Sequence, residues 1–507
     1  MTFAVFFLIV MPIAWRLRGH PAQWKVFVLA ASYVFYAWWD WRFVFLLVAS
    51  SVGNVVAGRL IAGGSERGRR NALIGGLVFN LGMLGFFKYY GFFVETLVSA
   101  LRPLGLAPTG LLVEITLPVA ISFFTFCAIS YLMDIYRGTL QPAPPIDVAV
   151  YLSFFPHLVA GPIVRGSEML PQLRHLSRPD VVDATRAARL ISRGLVKKVI
   201  IANYLAQTIT DPVFGSPRSY KSWDLIAAAY AFSIQIYADF SGYTDIAIGC
   251  ALLLGIKFPQ NFDRPYMAAS LQEFWRRWHM TLSRWLRDYL YIPLGGNRVP
   301  KWKQYRNLFI TMVLGGLWHG ASWTFVVWGT LHGGGLALER WRADRRAHPR
   351  RIEAAPVQRL RSQLGLETSH GEVPVVAPDG TVAVRDISDT EPTGPHEPNP
   401  WVGRLVTFHF VTFAWIFFKS GSIADAGQFI WRMFTAWGSK GPVSFLVVVA
   451  IVVALVAQYV PPRVGHLFEW RASHLPPAVQ ALGFAVVLIA CNVLGPQGVA
   501  PFIYFQF

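Results

Sequence analysis

The chain has 507 residues, of which 54% are hydrophobic, 15% aromatic and only 15% charged, with a mean hydropathy of +0.41. Soluble domains carry about 25% charged residues, and no soluble core absorbs apolar runs this long and frequent, so the composition points to a polytopic membrane protein. The formal charge of +18 does not imply nucleic acid, because the basic residues sit in short loops beside apolar runs, as in cytoplasmic loops of membrane proteins.

In chain order the apolar runs predict eleven spans, at about 1–15, 24–39, 43–62, 72–94, 113–135, 190–211, 224–255, 307–338, 402–418, 443–460 and 477–494. The first lacks a basic leader and a small-residue cleavage site before Arg16 and Arg18, so it reads as a retained span. Tyr151 to Val164 is short and interrupted by Pro156, Gly161 and Pro162, which suggests a re-entrant segment. In Gln272 to Tyr289, Trp275, Trp278, Leu282, Trp285 and Tyr289 recur at spacings of three and four, predicting an amphipathic helix at the membrane interface. The 307–338 run is long enough for a helical hairpin or a strongly bent helix.

Basic clusters at Arg16, Arg18 and Lys25, at Arg67, Arg69 and Arg70, at Arg186 to Lys198 and at Lys301 to Arg306 are expected on the cytoplasmic side. Both termini then lie outside. Residues 340–400 read as a flexible cytoplasmic loop, turning from basic to Pro-containing and acidic. The chain therefore divides into a 1–339 core, the 340–400 loop and a 401–507 block of C-terminal spans. No internal repeat is evident, which weighs against an inverted-repeat transporter. Cys127, Cys250 and Cys491 lie far apart in apolar stretches without metal-ligand spacing, so no metal site is expected.

Gly315-Gly316-Leu317-Trp318-His319-Gly320 places an ionisable side chain inside an apolar run, where it is costly unless paired or at work in a wet cavity. Location alone also admits a structural histidine bonded to a neighbouring helix. The flanking glycines favour function, because they let backbone or substrate approach closely. His279, in the Trp275 to Ser283 stretch, reads by itself as an interfacial histidine in an aromatic belt. Together with His319 it suggests one tunnel lined by both, with Trp278 and Trp318 beside them; His332 reads as structural. Tyr237 to Asp245 supplies Asp239, Ser241, Tyr243 and Asp245 within a span, and either a polar cavity or a helix-packing cluster accounts for them. Asp134 and Arg137 read as an interfacial pair. No nucleophile elbow, phosphate-binding loop, zinc-protease helix or calcium loop is present in the sequence.

At these residues the chain resembles the membrane-bound O-acyltransferase superfamily, and within it the bacterial branch of the alginate O-acetylation membrane protein. The matching pieces are LSFFPHLVAGPIVR (152–165), IQIYADFSGYTDIAIG (234–249), NFDRPY (261–266), FWRRWHMTLSRWLRDYLYIPLGG (274–296), GGLWHGASWTFVVWG (315–329) and FIYFQF (502–507). The resemblance implies an all-α fold with interfacial or re-entrant helices around a central tunnel, and a bacterial inner-membrane location. It further implies acyl transfer fed from the cytoplasm, with His319 as catalytic histidine and His279 as the second characteristic one. Acetyl-CoA is the implied donor, as a substrate and not a bound cofactor, and a periplasmic acetyltransferase or polymer-modifying protein the implied partner. The terminal FIYFQF resembles an acyl-relay motif, making Tyr504 a candidate acyl acceptor, although an aromatic anchor explains it equally simply. The implied outcome is O-acetylation of an exported polysaccharide such as alginate. Acylation of peptidoglycan or teichoic acid is the alternative within enzymes, and a transporter of an acylated carrier the alternative from another class.

Overall fold

The computed structural model describes residues 2–106, 115–176, 179–363, 372–376, 382–386, 399–438 and 443–495. The described residues are almost entirely helical. Helices α1 (Thr2–Leu17), α2 (Pro21–Asp40), α3 (Val44–Gly63) and α4 (Glu66–Leu84) follow one another closely. Pro21 opens α2 at a position where a missing N–H costs nothing. Asp40 ends it in an extended conformation, and its carboxylate takes the Arg42 N–H at 3.0 Å. A π-helical turn, Gly85–Tyr89, joins α4 to α5 (Tyr90–Leu101).

After α6 (Ile121–Tyr136) come α7 (Pro145–Ser153), α8 (Phe155–Leu158) and α9 (Gly166–Arg174). Residues 145–164 are almost wholly buried. The broken segment is therefore enclosed by protein, which is how irregular backbone is tolerated at membrane depth. Helix α10 (Val181–Leu195) continues through π-helical turns Val196–Ala202 and Ala206–Thr210, separated by α11 (Asn203–Leu205), into α12 (Asp211–Gly215). It packs along α13 (Ser222–Leu253). Gly194 and Gly242 make this contact possible: a Cβ on Gly194 would meet the Gly242 carbonyl oxygen at 2.5 Å.

The predicted interfacial helix is in fact two, α14 (Leu271–Arg277) and α15 (Met280–Leu286), followed by a π-helical turn, Arg287–Tyr291. Its apolar stripe faces inward. His279 takes a left-handed conformation (φ 41°) between the two helices. The apolar residues Trp275, Trp278, Leu282, Trp285 and Tyr289 are all buried, so protein rather than lipid covers them. The 307–338 run is a hairpin of α16 (Lys301–His319) and α17, which starts at Trp323 and runs to Gln363. Strands β1 (Glu372–Val376) and β2 (Val382–Asp386) pair antiparallel, so the 340–400 stretch contains regular structure among its described residues. Then follow α18 (Pro400–Lys419), α19 (Ile423–Thr435), α20 (Phe445–Ala457), α21 (Pro462–Ser473) and α22 (Pro477–Leu494). Helices α19 and α21 were not foreseen from the sequence.

Among the described residues, four helical stretches are long and apolar enough to cross a membrane: Pro21–Gly63, Glu66–Leu104, Pro400–Lys419 and Pro477–Leu494. Phe3–Leu17, Ile121–Tyr136 and Phe445–Ala457 are shorter apolar helices. Large side chains such as Leu8, Val34, Phe45, Val78, Phe445 and Leu482 are exposed on the helices, the surface of a membrane protein. Inside, two large apolar clusters form. One gathers α1–α4, α6 and α7 with Trp285 and Trp318. The other gathers α13, α14 and α18 with Trp278 and Trp328. The seam between them is where the histidines lie.

Candidate active site

His319 is the last residue of α16, at the tip of the hairpin, and is 4% exposed. The tip is tight because two glycines permit it. A Cβ on Gly316 would lie 2.3 Å from the Phe325 carbonyl oxygen, and one on Gly320 would lie 2.1 Å from the Phe325 ring. These glycines therefore serve the close approach of α16 to α17. Trp318, Trp328 and Phe418 surround the His319 ring at centroid distances of 5.0, 5.1 and 5.3 Å.

The end of α16 leaves carbonyls without intrahelical partners. Lys88 and Tyr89, from the π-helical turn after α4, supply donors to them. Lys88 Nζ donates to the Trp318 carbonyl, and at 3.3 Å to those of His319 and to Ser122 Oγ. Tyr89 Oη donates to the Leu317 carbonyl at 2.8 Å. An ammonium at the negative end of a helix is favourably placed. His279 and His332 flank His319 through the Trp318 and Trp328 rings respectively.

His279 is fully buried, not interfacial as the sequence suggested, and its ring lies 6.0 Å from Trp318 and 4.7 Å from Phe240. Asn261 explains the turn. Its backbone carbonyl accepts from Met280 N at 2.9 Å. Its Oδ1 accepts from Thr281 N at 3.1 Å and Thr281 Oγ1 at 2.8 Å, capping α15 from outside the helix. The same Oδ1 lies 3.1 Å from His279 Nδ1. An amide oxygen only accepts, so Nδ1 carries the proton and donates, leaving Nε2 with its lone pair. Nε2 is buried without a hydrogen-bond partner among the described residues. Asn261→Ala is expected to lower thermal stability in detergent by the equivalent of about 2–3 kcal/mol, because it strands buried donors at the α15 start. His279→Asn, which tolerates the left-handed backbone, should keep the melting temperature within a few degrees of wild type.

His332 is also buried and accepts from Trp275 Nε1 at Nδ1, 3.3 Å away. Its ring lies 4.7 Å from Trp328, so rings connect His332, Trp328, His319, Trp318 and His279 in sequence. Trp318 Nε1, Trp328 Nε1 and His332 Nε2 also have no hydrogen-bond partner among the described residues. Trp278 packs slightly apart, with Trp415 at 5.1 Å and Phe274 at 5.5 Å.

The α13 polar group sits on a different face. Asp245 bonds Arg193 and Lys197, the latter at 2.9 Å, and Asp239 pairs with Lys198. Lys197 also donates to Ser241 Oγ at 3.2 Å. These cations belong to α10 and the turn after it, so the group joins α10 to α13, and Tyr243 lies half-buried beside it. Phe240 is the α13 residue that reaches His279. Among the described residues no cluster of metal-ligating side chains occurs. Tyr504 lies outside the described residues.

Sequence reasoning missed Lys88, although a lone cation in the 72–94 run was a usable signal. It quoted Asn261 without a role, and nothing local marked Trp328, Trp415 or Phe418.

The membrane-bound O-acyltransferase family profile matches residues 133–349, which contain both His279 and His319. The probable alginate O-acetylase AlgI of Pseudomonas aeruginosa is 46% identical over 323 residues, 62% of this chain and 61% of that protein. The chain thus spans about six-tenths of the length of that curated relative. A teichoic acid D-alanyltransferase of Streptococcus thermophilus is 28% identical over 232 residues, 43% of this chain and 56% of that one. The peptidoglycan O-acetyltransferase of Helicobacter pylori is 37% identical over 434 residues, 79% of this chain and 72% of its own. With the histidine hairpin inside the matched region and a relative aligned over most of both chains, this chain belongs to the membrane-bound O-acyltransferase family.

Proposed function

We propose that the chain is an O-acyltransferase that takes an acetyl group from a cytoplasmic thioester, acetyl-CoA, and moves it across the membrane for O-acetylation of an exported polysaccharide such as alginate. The observation that carries this is the buried His319 at the hairpin tip, with His279 and Lys88 around it. In this reading a neutral imidazole at His319 takes the proton of an attacking hydroxyl. The hydroxyl oxygen bonds to the thioester carbonyl carbon, the C–S bond breaks, and the leaving sulfur receives the proton. The relatives named alginate O-acetylase support the polymer. The unpartnered polar atoms along the ring chain from His332 to His279 support a tunnel there.

In this reading the protein sits in the bacterial inner membrane with about eleven spans, the 307–338 hairpin entering and leaving on the cytoplasmic side, and both termini are periplasmic. Residues 1–339 form the acyltransferase core, 340–400 a cytoplasmic segment, and 401–507 the closing spans and the FIYFQF end. A periplasmic transferase receives the acyl group from Tyr504. Tyr504→Phe is then expected to abolish polymer acetylation in cells while membrane insertion and abundance stay normal. Ordinary ester content in that strain would remove the relay.

The broad alignment with the Helicobacter protein favours a second acceptor, peptidoglycan. Purified protein given radiolabelled acetyl-CoA tests the enzyme itself through thioester loss and label on protein. Ester analysis of alginate and of peptidoglycan from a deletion strain then decides the acceptor, since only one should lose its acetyl groups.

A further inference from the structure

The buried stretch from Val159 to Arg165 lies between α8 and α9 outside any helix, so its backbone N–H groups need partners from elsewhere. Pro162 has no N–H to offer, and the next donor is Ile163. Its N–H reaches Thr281 Oγ1, in the first turn of α15, at 2.9 Å. Having accepted from Ile163, the Thr281 hydroxyl turns its own proton on Asn261 Oδ1, 2.8 Å away. The Thr281 backbone N–H points at the same atom from 3.1 Å, which identifies that atom as the amide oxygen. His279 Nδ1 is the third donor on it, at 3.1 Å. Ile163, Asn261, His279 and Thr281 are each at most 2% exposed, so no solvent competes for these bonds.

The re-entrant stretch is itself pinned on its other side. Tyr151 Oη, on α7, donates to the Val164 carbonyl at 3.0 Å, and Phe155 N donates to Ser32 Oγ of α2 at 3.2 Å. Gly161, at φ 143°, brings the backbone against α13, where a Cβ would meet that of Ala247 at 3.2 Å. A line of restraint therefore runs from α2 and α7 through residues 155–164 to Thr281, Asn261 and His279. His279 needs such a hold. Its left-handed backbone is uncommon for a residue with a Cβ, and its ring makes its one polar contact among the described residues through Nδ1.

We propose that Thr281 is a positioning residue for His279, its hydroxyl coupling the re-entrant segment to Asn261 and so keeping the imidazole in one orientation and one tautomer beside Trp318. Its consequence for catalysis rests on the acyl-transfer reading above. A plain helix cap would contribute stability and leave the ring indifferent to the hydroxyl.

The test uses the full-length protein in nanodiscs with isotope-labelled histidine, read by nitrogen NMR. The His279 signals are those that vanish in His279→Asn. Wild type should show a single tautomer, protonated at Nδ1; two tautomers, or a proton on Nε2, overturn the proposal before any Thr281 variant is made. Thr281→Val keeps the side-chain shape without the hydroxyl and should give a second or broadened set of His279 signals. Thr281→Ser restores the hydroxyl and should return one set. In turnover, kcat for acetyl transfer should fall about 10–100-fold in Thr281→Val and largely recover in Thr281→Ser, with KM for acetyl-CoA held within about twofold. In a His279→Asn background the same valine should change the residual rate by less than about threefold, because the group it acts through is gone. A Thr281→Val protein that melts earlier but keeps wild-type His279 signals and kcat has lost only a cap, which overturns the proposal. An equal loss of rate with and without His279 does the same. Histidine signals that respond as expected in a protein without turnover would leave the hold on His279 standing and defeat the acyl-transfer reading.

Discussion

Purified His319→Ala protein is expected to lose thioester-dependent acetyl transfer by about 10²–10⁴-fold, the range that a positioned general base contributes. The side chain also fills space between Trp318, Trp328 and Phe418, so truncation to alanine opens a cavity and lowers stability as well. His319→Gln separates the two effects. It keeps most of the volume and a hydrogen-bonding end but has no basic nitrogen. Both variants should be inactive, and only the alanine variant should melt markedly earlier. Acetyl-CoA hydrolysis at wild-type rates in His319→Gln would sink the base assignment while leaving the family membership intact. His279→Asn belongs beside them. Its fold should survive, so lost activity there would report on the imidazole whose Nε2 faces the interior without a partner.

The sequence carried this site further than it carried the architecture around it. The 307–338 run was too long for one span, so a hairpin was a legible option, and the glycines on either side of Trp318 and His319 marked the tip. Their use was not legible, because it depends on Phe325 and Gly329 packing back across the hairpin. The Trp275 to Tyr289 stripe shows a different limit. Apolar residues at spacings of three and four look the same whether lipid or protein covers them. The left-handed break at His279 is imposed by Asn261, whose carbonyl groups cap α15 from eighteen residues upstream. The carboxylates Asp239 and Asp245 were recognisable as buried charges. That Lys198, Lys197 and Arg193 would meet them was hidden, because those cations had been read as loop charges when they lie on α10 and its π-helical extension.

Lys88→Met is the second large effect expected, and it comes from the residue that sequence reasoning passed over. Lys88 is the lone charge in the predicted 72–94 span, and a lone ammonium at that depth needs strong compensation. It finds it at the end of α16, some 230 residues later in the chain, where it donates to the carbonyls of Trp318 and His319. Methionine matches the length of the side chain and keeps its apolar stem, but donates nothing. Two carbonyls at a helix end then lose their donor, and the backbone that holds His319 loses its tie to the π-helical turn. Tyr89 still holds the Leu317 carbonyl, so the helix end should loosen rather than unfold. The expected result is a kcat lowered by about 10–100-fold, the cost of a small misplacement at a reacting group. KM for the thioester should change little, because Lys88 spends its hydrogen bonds on the hairpin backbone and on Ser122. Lys88→Arg, which keeps the charge and the donors, should recover part of the rate. A Lys88→Met enzyme with wild-type kcat would show that the hairpin tip holds His319 in place unaided.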